Sequence, residues 1–103
     1  MGGLELEVID TPGHSNGHIG FLLDFDGRRS LFSGDVVFAL GKIYIQYIRD
    51  CSIQAYADSI AKLNRLRIDA LYPGHGVCVL TRGMEHIERA QRCFERLEIP
   101  PNL

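Results

Sequence analysis

The chain has 103 residues, with 11 Lys and Arg against 13 Asp and Glu, for a formal charge of −2. That length fits one domain, residues 1–103, and the 46% hydrophobic and 23% charged fractions exclude a disordered chain. A mild negative charge with scattered Lys and Arg speaks against nucleic-acid and membrane-surface partners.

Leu4-Glu5-Leu6-Glu7-Val8-Ile9 alternates apolar and charged residues, the period of a strand with one wet face, and stops at Asp10-Thr11-Pro12-Gly13. Ile19 to Phe25 reads as a buried strand. Asp26-Gly27 supplies a tight hairpin turn, and Ser30 to Ser33 returns as the partner strand. Residues 36–49 form an irregular loop with a short strand; Tyr44 and Tyr47 can either line a pocket or, interleaved with Ile43, Ile45 and Ile48, pack in the core, and the core is the expected place. From Ser52, a fitting N-cap, the apolar residues Ile53, Tyr56, Ile60, Leu63 and Leu66 recur at helical spacing.

Ala70-Leu71-Tyr72 reads as a short strand ending at Pro73-Gly74-His75-Gly76. From Thr81 to about Leu97, Met84, Ile87, Ala90, Phe94 and Leu97 share a helix face, with Glu85–Arg89 and Glu88–Arg92 pairs opposite. His86 falls on the polar side of that helix. Strands first, then helix, strand and helix, predict an α+β fold: one mixed, mostly antiparallel sheet covered on one face by two helices. Of the three cysteines, Cys78 lies in the apolar run 77–80 and is expected in the core, while Cys51 and Cys93 are expected as free thiols. No CxxC, signal peptide or long apolar run is visible, which fits a reducing cytoplasm.

Three places share one grammar, an apolar strand followed by glycine and a residue able to bind metal: Pro12-Gly13-His14, Ser33-Gly34-Asp35 and Pro73-Gly74-His75. Glycine permits a sharp turn and close backbone approach, so the next side chain can project from a strand end. Two imidazoles and a carboxylate suit a borderline-soft divalent ion such as zinc, with manganese or iron as alternatives. His18, four residues after His14, can either pair with it on a helical turn or fix the local turn by hydrogen bonding. Lys42 is the candidate for meeting an anionic substrate, against the plainer reading of an exposed lysine.

Thr11-Pro12-Gly13-His14-Ser15-Asn16-Gly17-His18, Leu31-Phe32-Ser33-Gly34-Asp35 and Tyr72-Pro73-Gly74-His75-Gly76 together resemble successive signatures of the metallo-β-lactamase-fold hydrolases. That family packs two similar halves sheet to sheet as an αββα sandwich with metal at the sheet edge. The resemblance implies that His14 belongs to the first metal site, Asp35 bridges two metals and His75 belongs to the second. Thr11, Ser15 and Ser33 become candidates for orienting those ligands, and the TPGHxxGH pattern favours a structural His18. The family's leading HxHxDH motif has no counterpart: His14 is the first histidine, and the others are His18, His75 and His86.

The resemblance therefore covers a C-terminal half. It implies a hydrolase of small molecules (an ester, thioester, lactam, lactone or phosphoester) that is incomplete as this chain, or alternatively a non-catalytic half-domain used for dimerisation or scaffolding. Self-association or pairing with the missing N-terminal half is expected through an apolar sheet face, with Leu23, Phe25, Leu31 and Phe32 as candidates. The glutathione-thioester branch is disfavoured by the short C-terminal helix and Pro100-Pro101.

Overall fold

The structure, a computed structural model, describes residues 4–45 and 51–103. Strands β1 (Leu4–Asp10), β2 (Ile19–Phe25), β3 (Arg28–Gly34) and β4 (Ala70–Pro73) form one sheet in the order β1-β2-β3-β4. The first three are antiparallel neighbours, and β4 joins β3 in parallel. Helices α1 (Ile53–Asn64) and α2 (Gly83–Glu95) complete the α+β architecture. The β2–β3 hairpin closes through Asp26 and Gly27 at φ 51° and 80°, with Phe25 paired to Arg28. Positive φ at both loop residues matches the right-handed twist of the flanking strands.

Helix α1 begins as its sequence predicts. The Ser52 hydroxyl accepts from the Ala55 amide at 3.1 Å, and Tyr56, Ile60 and Leu63 are fully buried. Helix α2 starts later than expected, because Arg82 sits in the left-handed region at φ 56° and offers no side-chain cap. Its Ile87 and Ala90 are buried, and Met84 and Phe94 pack against the core. Leu97 falls beyond the last turn and is 96% exposed, so it does not join that face. Glu88 pairs with Arg92 at 3.5 Å, but Glu85 faces Arg82 at 3.8 Å rather than Arg89.

The helices cover one face of the sheet. Ile9, Leu22, Leu31 and Leu71 point inward and join Tyr56, Ile60, Leu63 and Ile87 in the core. The opposite face carries Leu4, Leu6, Val8, Phe21, Phe25 and Phe32, all exposed, with Leu23 half-buried among them. Strand pairing places Val8 opposite Phe21 and Phe21 opposite Phe32, whose ring stacks on Tyr72 at 5.1 Å, so the apolar surface is continuous. Leu31 is therefore corrected from candidate surface residue to core: strand alternation turns it away from Phe32.

Cys78 is also corrected, from core to surface. Residues 77–80 run along the outer edge of β4, where Val79 exchanges backbone hydrogen bonds with Leu71 at 2.7 and 2.8 Å. Val79 turns inward while Val77, Cys78 and Leu80 face out. All three cysteines are free. Between β3 and α1 the described chain holds a 3-10 turn at Ala39–Gly41 and an isolated bridge between Ile43 and Asn102. The expected core positions of Tyr47 and Ile48 lie outside the described residues. His86 is half-buried, and its Nδ1 accepts from the Leu40 amide at 2.7 Å, which braces the 3-10 turn.

Candidate functional site

Because β1, β3 and β4 run in the same direction, the segments that follow them emerge at one end of the sheet. Those segments carry His14, Asp35 and His75. His14 Nε2 lies 3.5 Å from Asp35 Oδ2, and His75 Nε2 lies 3.2 Å from Asp35 Oδ1. One carboxylate thus stands between two imidazoles, each facing a different oxygen. The His14 side chain is 12% exposed, Asp35 28% and His75 57%, so the site is open on the His75 side. The Gly74 amide donates to the Gly34 carbonyl at 2.7 Å and ties the His75 turn to the Asp35 turn.

The backbone around His14 fixes its ring. His14 Nδ1 lies 2.9 Å from the Tyr44 carbonyl, which can only accept, so Nδ1 carries a proton and Nε2 is the nitrogen that faces the carboxylate. Gly13 is at φ +147° under helix α1, where a Cβ would stand 2.7 Å from Tyr56 Cα and Cγ. Two of the nearest atoms, Tyr56 Cα and N, are helix backbone and leave little room to yield. Gly13→Ala should destabilise the chain by about 3 kcal/mol, and urea unfolding with less than about 1 kcal/mol lost would count against this packing.

His18 spends both ring nitrogens on protein groups. Nε2 accepts from the Asp35 amide at 2.8 Å, and Nδ1 donates to Thr11 Oγ1 at 2.8 Å. The ring locks the end of β1, the start of β2 and the Asp35 turn together. Gly34, at φ +57°, lets the ring approach: a Cβ there would meet His18 Nε2 at 2.8 Å. Burial lowers the His18 pKa from its ordinary value, and the nearby His14 adds to this, against the charge of Asp35.

Only neutral His18 can accept from Asp35. The unfolded chain therefore takes up the proton first, and this stabilisation is present above about pH 6.5 and lost as pH falls below it. Unfolding midpoints should fall between pH 7.5 and 5.5, and His18→Gln should flatten that fall; an unchanged slope would refute the role.

Ser33 is buried and its hydroxyl donates to the Val37 carbonyl at 2.9 Å. Ser15 contributes its carbonyl, which accepts from the Gly13 and His18 amides at 3.2 and 3.4 Å. Lys42 lies in the Tyr44 loop, and its carbonyl accepts from the Phe38 amide at 2.9 Å. Tyr44 is corrected from core to site wall: its ring centroid is 4.9 Å from that of His14 and 6.0 Å from that of His75. Phe38 packs beside Tyr44, its ring centroid 6.4 Å from that of Tyr44 and 6.2 Å from that of His75.

Sequence reading also missed the Tyr56 hydroxyl, which reaches the Asp35 carbonyl at 2.6 Å. A tyrosine among aliphatic residues on a buried helix face was the available signal, because its hydroxyl needs a partner. Among the described residues no group of three or more His, Cys, Asp or Glu side chains is placed so that it could hold a metal ion.

The chain is similar to several curated proteins and solved structures. The chain is 36% identical over 74 residues to the beta-lactamase-like protein 2 homolog of Caenorhabditis elegans, covering 72% of this chain and 23% of that protein. It is 36% identical over 76 residues to a hydroxyacylglutathione hydrolase of Rhodopseudomonas palustris, covering 73% and 28%. It is 30% identical over 93 residues to the atrochrysone carboxyl ACP thioesterase of Aspergillus fumigatus, covering 87% and 27%. The chain thus spans about a quarter of the length of these curated relatives.

Among solved structures, a metallo-beta-lactamase superfamily protein from Sulfolobus tokodaii superposes with TM-score 0.67 at 24% identity, covering 98% of this chain and 38% of that one. ETHE1 from Myxococcus xanthus gives 0.62 at 24% identity, covering 94% and 48%. These two likenesses establish the fold. The family model that matches residues 1–75 takes in the turns of His14, Asp35 and His75 together, and with it the chain belongs to the metallo-beta-lactamase superfamily.

Proposed function

We propose that this chain supplies one wall of a metal-dependent hydrolase site, with His14 holding one ion, His75 a second and Asp35 bridging them. The observation that carries this is the placement of the two imidazole nitrogens on opposite oxygens of one carboxylate, at 3.5 and 3.2 Å. Zinc bonds of 2.0–2.2 Å at tetrahedral angles hold neighbouring ligand atoms about 3.4 Å apart. The donor set fits such ions, and zinc is the metal we favour over manganese or iron. When bound, they supply a water that ionises near neutral pH and a Lewis acid for the oxygen under attack.

The chain's own residues hold and orient. Neither histidine serves as a base: His14 keeps its Nδ1 proton on Tyr44, and Nε2 is left for the ion. Thr11 acts through His18 on the Asp35 turn, while Ser15 and Ser33 shape their own turns. Lys42 remains our candidate for meeting an anionic part of the substrate because it lies on the same loop as Tyr44, and Tyr44 and Phe38 wall the site. Among possible ester, lactam and phosphoester substrates we favour thioesters, on the names of the thioesterase and hydroxyacylglutathione hydrolase relatives. Those names replace the earlier expectation against glutathione thioesters, which rested only on the end of the chain.

Three ligands are too few for two four-coordinate ions, so little turnover is expected from this chain alone. The exposed sheet face supports pairing with an N-terminal half bearing HxHxDH, or with a second copy in a non-catalytic role. Free thiols support a reducing, cytoplasmic setting, and among the described residues no helix is long and apolar enough to cross a membrane.

The test is hydrolysis of an S-acyl glutathione, a lactam and a phosphodiester with added zinc or manganese. Turnover should appear only when an HxHxDH-bearing half is supplied, and Asp35→Ala should abolish it. Robust turnover that survives Asp35→Ala would overturn the assignment.

A further inference from the structure

Helix α1 makes three kinds of bond to the loops at the site. The Ser59 hydroxyl donates to the Pro12 carbonyl at 2.6 Å, and the Ser52 amide donates to the Gly13 carbonyl at 2.7 Å. Both hold the His14 loop alone. The Tyr56 hydroxyl differs in reach. It lies 2.6 Å from the Asp35 carbonyl, 2.9 Å from the Tyr44 carbonyl and 3.0 Å from the Tyr44 amide nitrogen.

A phenol has one proton to donate, and the shorter contact assigns it to Asp35, while the phenol oxygen accepts from Tyr44 N–H. The Tyr44 carbonyl in turn accepts from His14 Nδ1 at 2.9 Å. Two hydrogen-bonded links joined by the Tyr44 main chain therefore connect the Asp35 carbonyl, through the Tyr56 hydroxyl, to the His14 ring. The Asp35 and Tyr44 loops are separated by the 3-10 turn, and the hydroxyl is the atom both of them touch.

We infer that Tyr56 is a positioning residue: its hydroxyl sets the placement of the His14 ring relative to the Asp35 carboxylate. The ring alone would fill the core, as Phe would. The hydroxyl, in the fully buried Tyr56, is spent on the two loops whose side chains face each other at 3.5 Å. This role deepens the proposed metal site and rests on His14 and Asp35 acting as a pair. Polar partners that orient metal-binding side chains commonly change metal affinity by about 10–100-fold when removed.

The test compares Tyr56→Phe with Ile60→Val, a buried change in the same helix whose side chain has no polar group to bond either loop. Zinc affinity is read by competition with a chromogenic chelator, and the His14 ring is read in the metal-free chain by long-range proton–nitrogen NMR. Tyr56→Phe should weaken zinc binding by about ten-fold and convert His14 from a single Nδ1–H tautomer to a mixture. Ile60→Val should do neither. A Tyr56→Phe chain with wild-type zinc affinity, or with an unchanged His14 ring, would overturn the inference.

If the unaltered chain binds no zinc, the metal reading fails, and the ring spectrum still decides the positioning role. Should Tyr56→Phe not fold, exchange of the Tyr44 amide in the unaltered chain decides. Slow exchange is expected from its bond to Tyr56, and exchange at the rate of a free amide would overturn it.

Discussion

Asp35→Asn should leave the chain folded and lower its zinc affinity by more than about a hundred-fold. Asp35 bonds the fold through its backbone, by its amide to His18 and its carbonyl to Tyr56. Its carboxylate instead faces the two histidine rings. Asn keeps the shape, but it removes the charge and one of the two oxygens that a bridge requires. His14→Ala and His75→Ala should each weaken binding less, because each removes one end of the arrangement and leaves the other.

Binding in the unaltered chain is itself expected to be weak and to fall on acidification, since imidazole ligands must be deprotonated. Isothermal titration or chelator competition measures both effects. Tight one-to-one zinc that persists in a His14→Ala, His75→Ala double variant would place the ion elsewhere.

At micromolar concentration the isolated chain should self-associate, and Leu6→Lys with Phe21→Glu should return it to a monomer. Leu4, Leu6, Val8, Phe25 and Phe32 are each more than 40% exposed, and all lie on the face that the helices do not cover. Single exposed apolar side chains are ordinary on a monomer, but a continuous apolar sheet face is not. A second copy offers the same surface, and a two-fold axis would close the contact.

The two substitutions sit diagonally on neighbouring strands and carry opposite charges, so they interrupt the patch without setting like charges against each other. Sedimentation should show concentration-dependent mass for the unaltered chain and for a Gln54→Lys control on α1, and a constant monomer mass for the double variant. An unaltered chain that stays monomeric, with an unfolding temperature independent of concentration, would refute the claim.

Local chemistry made several features legible in advance. Asp26-Gly27 specifies its hairpin because positive φ at both loop residues is a property of those two residues. Ser52 and the Tyr56–Ile60–Leu63 spacing specify α1 because cap and period are contained within a dozen residues. The three glycine-led turns were recognisable for the same reason.

Their convergence was a different matter. His14, Asp35 and His75 meet because β1, β3 and β4 share a direction, which strand pairing across tens of residues decides. Alternation divides Leu31 from Phe32 but does not say which face the helices cover, so Leu31 enters the core and Phe32 the surface. Cys78 lies in an apolar run yet faces outward, because its segment docks along the sheet's edge and turns only Val79 inward. The bonds of Tyr56, Tyr44 and His86 escape a sequence reading altogether, since each partner is a backbone group on a loop distant in sequence. The sequence by itself determined which residues can turn, cap and ligate. Tertiary structure alone decided which of them meet, because burial and backbone hydrogen bonding depend on what packs across the gap.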